Sequence, residues 1–169
     1  FMGVGFFRPH YPMVAPKKFF DMYPLEKMKV PPLIEGDLDD IPRAAYGIQN
    51  GELLNKTENG RRGMWQAYYA SVTFMDEQLG KVLDELDRQG LTDSTAIVFT
   101  TDHGYHLGEH GFWQKGNLHE EVTRVPFMIR TPGLKPGRTN SLAELVDFYP
   151  TCLDLLGLSQ PKEIVGKSL

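Results

Sequence analysis

The stretch Ser94-Thr95-Ala96-Ile97-Val98-Phe99-Thr100-Thr101-Asp102-His103-Gly104 decides the fold. Its first half is apolar and β-branched, which predicts a strand over 95–100 buried on both faces of a sheet. A strand that stops at Asp-His-Gly delivers a carboxylate and an imidazole to the sheet's carboxyl edge, where open α/β sheets build their sites. Gly104, Gly108, Gly111 and Gly116 then turn the backbone repeatedly. Asp102, His103, His106, Glu109, His110 and Lys115 can therefore converge, and together they read as half of an active site.

Upstream, Met64 to Gln89 predicts a long amphipathic helix. Trp65, Tyr68, Tyr69, Val72, Met75, Leu79, Val82, Leu83 and Leu86 recur at three- and four-residue spacing, and Gly90 supplies the stop. At that spacing the aromatic residues read as core rather than as a stacking platform. A helix that feeds directly into a strand is α/β logic. Downstream, 125–130 predicts a second strand with Pro126 at its start. Residues 131–140 read as a hairpin or surface connection. A last amphipathic stretch runs from Leu142 to Leu156, with Asp147 as cap, Pro150 in the first turn and Gly157 as stop.

At the other end, Phe1 to Phe7 reads as a core strand halted by Arg8-Pro9-His10-Tyr11-Pro12. Prolines on both sides stiffen the backbone that carries His10, a second polar residue at a strand end. Residues 13–62 form a loop-rich excursion of the kind that shapes substrate access. Within it, Asp37 to Asp40 is an acidic cluster that reads as a solvated loop sooner than as a cation site. Asn55-Lys56-Thr57 fits the glycosylation triplet, a pattern of little weight by itself. Nothing repeats, and 1–169 reads as a single partial domain.

Composition excludes several classes. With 41% hydrophobic and 24% charged residues the chain is an ordinary globular one, and its net charge of −4 gives no pull toward nucleic acid. No run approaches the ~20 apolar residues that span a bilayer. The chain opens at Phe1 with Met2 inside an apolar run, so it is expected to be an internal piece, and the lack of a signal peptide leaves the compartment open. Cys152 is the only cysteine, so no internal disulfide forms, and its apolar helical setting predicts a small buried thiol.

Three readings compete for the loop 102–119. Asp102 and His103 can share one divalent metal if Gly104 turns the chain, but two ligands need others from elsewhere. His106-Leu107-Gly108-Glu109-His110 is formally an H-x-x-E-H zinc pattern, although its glycines oppose the helix that the motif needs. The third reading is a polar loop held by its own hydrogen bonds, with Glu109 and His110 ordering it. Lys115, at the loop's end, suits a phosphate or sulfate because an ammonium is a compact point charge.

The run from Ser94 to Lys115 resembles the C-terminal half of a sulfatase catalytic domain. Glu120 to Arg130 and Leu145-Val-Asp-Phe-Tyr-Pro-Thr151 match that family's next segments, and Gly5-Phe-Phe-Arg-Pro-His10-Tyr-Pro is similar to its iduronate-2-sulfatase branch. The resemblance covers nearly the whole chain and is weakest over 30–62. It implies an alkaline-phosphatase-like α/β/α sandwich with a mostly parallel central sheet, and a Ca2+ ion that orients a sulfate ester. By position it makes Asp102 and His103 calcium ligands and Lys115 a contact to the sulfate oxygens. It makes His10 a sulfate contact that stabilises charge or assists the leaving group. The implied substrate is a sulfated carbohydrate such as a glycosaminoglycan, and the implied setting is secreted, periplasmic or lysosomal.

The departures are equally specific. The family's nucleophile is a formylglycine made from a Cys or Ser in a C/S-x-P/A-x-R motif, and the chain has none; Cys152-Leu-Asp-Leu-Leu does not fit. The aspartate pair that completes the calcium site is missing too. These parts are expected upstream of Phe1, with a smaller subdomain beyond Leu169, so the isolated chain is expected to be inactive. A phosphodiesterase or phosphonate hydrolase of the same superfamily, or a non-catalytic fragment, remains an alternative.

Overall fold

The computed structural model describes residues 1–47 and 57–169, so Asn55 and Lys56 of the glycosylation triplet lie outside the described residues. The chain divides into two compact units: Phe1–Glu85 with His103–Arg124, and Leu86–Asp102 with Val125–Leu169.

The first unit is organised on a short helix α1 (Lys17–Phe20) and the long helix α2 (Glu58–Arg88), whose last turn belongs to the second unit. Helix α2 starts earlier than its apolar period suggested. The Thr57 hydroxyl accepts from Gly60 N–H at 3.0 Å, and Glu58 forms an i,i+4 pair with Arg62. A capping hydroxyl and an acid in the first turn outweigh the two glycines that read as loop. The aromatic stripe packs on its neighbours but is less buried than expected: Trp65 and Tyr68 are half-buried and Tyr69 is exposed. Tyr69 meets Trp65 and Tyr23, with ring centres 5.4 and 5.5 Å apart, and Phe74 meets Phe19 at 5.3 Å. Gln66 Nε2 donates to Tyr23 O at 2.8 Å and Lys18 pairs with Glu77 at 2.5 Å, so the excursion is tied down along α2. A two-residue antiparallel ribbon, β1 (His106–Leu107 against Trp113–Gln114, named β2), and helix α3 (Glu120–Thr123) complete the unit. Trp65 Nε1–H donates to Leu107 O at 2.6 Å and so fixes the ribbon to α2.

The expected core strand over Phe1–Phe7 does not form. Phe1, Met2, Val4 and Phe7 are exposed, and no described strand pairs with the segment. An apolar run becomes a strand only where neighbouring N–H and C=O groups complete its ladder.

In the second unit, the strands Ile97–Thr100 (β3) and Phe127–Arg130 (β4) pair antiparallel, with Ile97 opposite Arg130 and Thr100 opposite Phe127. Both strands were expected, and Pro126 lies just outside the second. The pairing differs from the expected parallel one, and β3 is half-buried along its length rather than fully buried. Both sheets among the described residues are two-stranded and antiparallel, and antiparallel edge strands are common in α/β sheets, so this local pairing is compatible with the fold class. Phe127 packs on Phe148, ring centres 6.2 Å apart, which seats helix α4 (Phe148–Leu155) against β4. Gly90 and Gly157 both stop helices, at φ 68° and 66°, and the residue after each donates back five positions, Leu91 to Leu86 and Leu158 to Leu153. Cys152 is half-buried rather than buried, and burial raises its thiol pKa.

Asp147 precedes α4 but its side chain does not cap that helix. Its carboxylate instead accepts from Glu144 N–H at 2.9 Å and Lys167 N–H at 3.0 Å, tying the turn before α4 to the C-terminal segment. These two bonds, Lys167 first, hold its pKa below the usual aspartate value. The folded form thus gains stability that is present above pH ~4 and lost as pH falls through the lower folded pKa. Asp147→Asn should flatten this acid limb when urea midpoints are compared at neutral and acidic pH. An unchanged slope in the variant would remove Asp147 from the account.

Candidate functional site

Strand β3 ends at Thr100, and Asp102 follows two residues on with an exposed carboxylate that accepts from the Thr101 hydroxyl at 3.3 Å. Asp102 closes one stretch of the second unit and His103 opens one of the first. His103 is half-buried. Its Nδ1 lies 2.7 Å from Gly104 O, and a carbonyl only accepts, so Nδ1 carries the proton and Nε2 presents its lone pair. Lys115 Nζ donates to that Nε2 at 2.8 Å. The structure thus joins two of the expected site residues, twelve positions apart in sequence, in one contact.

What holds the pair is the packing of Gly104 on α3. Gly104 N–H donates to Val122 O at 2.7 Å, and a Cβ at Gly104 would stand 2.0 Å from Glu121 O. Only glycine permits this approach. Lys115 follows the ribbon strand β2, so its position is set by that strand and, through Trp65, by α2.

His10 sits in its own exposed turn rather than at a strand end. Its Nδ1 donates to Tyr11 O at 2.6 Å, its ring lies 5.0 Å from that of Phe7, and Arg8 braces the turn through Val14 O at 2.8 Å. The H-x-x-E-H zinc reading fails as written. Gly108 at φ 109° and His110 at φ 56° break any helix, and Glu109 is spent accepting Leu107 N–H at 2.6 Å. Glu109 orders the loop, as the third reading held. In the acidic cluster, Asp37 accepts from His110 Nδ1 at 2.9 Å. His119 and Glu121, which no sequence pattern singled out, lie beside His110. Tyr105 is half-buried against Tyr68, and burial, with Tyr68 and then Tyr11 adding to it, pushes its phenol up to about 12. It therefore stays protonated at neutral pH.

The "Sulfatase" family model matches residues 1–158. A sulfatase of Formosa agariphila is 40% identical, aligned over 100% of this chain and 34% of its own length. The iduronate 2-sulfatase of Mus musculus is 34% identical over 95% of this chain and 36% of its own. Among solved structures, a phosphonate monoester hydrolase from Silicibacter pomeroyi superposes with a TM-score of 0.84 at 31% identity, covering 96% of this chain and 35% of that one. Fold and loop together define an alkaline-phosphatase-like α/β class. Within that class the chain belongs to the sulfatase family. It spans about a third of the length of the curated relatives it matches.

Proposed function

We propose that the protein carrying this chain is a calcium-dependent sulfuric ester hydrolase acting on a sulfated carbohydrate, of which iduronate 2-sulfate in a glycosaminoglycan is the leading type. The observation that carries this reading is the His103–Lys115 pair, a metal-donor imidazole and an anion-binding ammonium 2.8 Å apart. The Asp102 carboxylate suits a hard cation. The Gly104 carbonyl keeps His103 in the tautomer whose Nε2 lone pair faces outward. When bound, Ca2+ would supply a fixed positive charge that orients a sulfate group and offsets charge developing on it. With Nε2 committed to coordination, the Lys115 donors turn to the sulfate oxygens. His10, exposed on its braced turn, would donate a proton to the departing sugar oxygen. The attacking group is not among these residues, which lack a C/S-x-P/A-x-R sequence. A secreted, periplasmic or lysosomal setting belongs to the same reading, and no helix among the described residues is long and apolar enough to cross a membrane.

The phosphonate monoester hydrolase neighbour supports a second reading, in which the same groups bind a phosphonate ester. Inorganic sulfate released from a panel of sulfated saccharides, with and without a calcium chelator, tests the first. The expected result is release that the chelator abolishes and Ca2+ restores. Release from none of the saccharides would refute it.

A further inference from the structure

Beside the pair just described, three other imidazoles converge on one carboxylate, and the bonds of two of them fix where the lone pair points. His110 Nδ1 lies 2.9 Å from Asp37 Oδ2, an acceptor, so Nδ1 carries the proton and Nε2, 3.9 Å from Glu121 Oε1, offers a lone pair. His119 Nε2 lies 3.0 Å from Ala45 O, so it is the protonated nitrogen and Nδ1 is left with a lone pair. Asn117 Oδ1 accepts His119 N–H at 3.2 Å, and both of its amide atoms reach His106 Nε2, Oδ1 at 3.1 Å and Nδ2 at 3.0 Å. Nε2 can donate to Oδ1 and leave Nδ1 the lone pair, or accept from Nδ2 and leave Nδ1 protonated, and a cation at Nδ1 selects the first form. His106 Nδ1 remains, fully buried and without a partner among the described residues, 3.9 Å from Glu121 Oε2.

Lone pairs and a carboxylate that face one another repel unless a cation lies between them. The donor atoms of His110, His119 and Glu121 already lie within 4.8 Å of one another. Bonds of ~2.0–2.1 Å from a tetrahedral zinc set its ligand atoms ~3.4 Å apart, so small side-chain shifts close the set. We propose that His110, His119 and Glu121, with His106 Nδ1 as the fourth donor, bind one zinc-class divalent cation at a site separate from that of Asp102 and His103. Three imidazoles and one carboxylate suit a borderline metal, whereas Ca2+ prefers oxygen. Four protein donors close the coordination shell, so the ion is structural: it clasps the loop 106–111 to the segment 117–121. Asp37 orients His110 from behind, the carboxylate–histidine–metal arrangement.

The test uses the full-length protein, stripped with a chelator, reloaded with Ca2+ and then given ZnCl2 or CoCl2 before desalting. One equivalent of zinc is expected to remain, and cobalt should show the intense visible bands of tetrahedral coordination. Glu121→Gln should abolish retention, Asp37→Asn should weaken it at least ~10-fold, and Asp102→Asn should leave it unchanged. Failure to retain zinc, a weak octahedral cobalt spectrum, or loss on Asp102→Asn with Glu121→Gln unaffected would overturn the proposal. Should Glu121→Gln misfold by near-UV circular dichroism, the cobalt spectrum of the unaltered protein decides in the same two directions.

Discussion

Lys115→Ala is expected to lower kcat/KM for a sulfate ester by ~10²–10³-fold, the loss typical of removing one preorganised charge-stabilising donor. The size of the effect follows from where the ammonium is held. It is half-buried, 2.8 Å from His103 Nε2, and carried by a ribbon that Trp65 anchors to α2. Such a donor needs little reorganisation as charge develops. Lys115→Arg should recover only part of the loss, because a planar guanidinium cannot take the place of a compact ammonium beside an imidazole. Steady-state kinetics on purified variants read both numbers. An alanine variant with unchanged kcat/KM would take Lys115 out of the site.

Gly104→Ala is expected to destabilise the fold by ~3 kcal/mol, the upper end of overpacking costs. The Glu121 carbonyl oxygen would be 2.0 Å from the new Cβ, and that oxygen is backbone, so no side-chain rotation relieves the clash. The loop must lift from α3, which breaks the 2.7 Å bond from Gly104 N–H to Val122 O. It also shifts His103, whose Nδ1 is held by the Gly104 carbonyl. Urea unfolding should therefore show a lower midpoint, accompanied by weaker Ca2+ binding. A midpoint unchanged within error would mean that the close approach is not made.

The long helix, both strands of the second unit and the placing of His103 and Lys115 on one polar loop were legible because each rests on a local pattern. Those patterns are the three- and four-residue apolar period, the β-branched run, and a polar residue at each end of a glycine-rich loop. The start of α2 was misread because its cap is a single hydroxyl at Thr57, ahead of two glycines. Phe1–Phe7 was misread because strand formation depends on partners distant in sequence. The role of Asp147 was misread for a similar reason: Lys167, twenty residues on, competes for the carboxylate that sequence proximity assigns to α4. The histidine cluster was hidden for the same cause. Asp37, His110 and Glu121 are brought together by turns, and no periodicity links them.

The most direct test of the central claim compares kcat/KM for a sulfate monoester and a phosphonate monoester that share one leaving group, using the full-length protein with Ca2+. A ratio favouring the sulfate ester, with Lys115→Ala lowering that rate, is the predicted result. A ratio favouring the phosphonate by a wide margin would contradict it and establish the second reading.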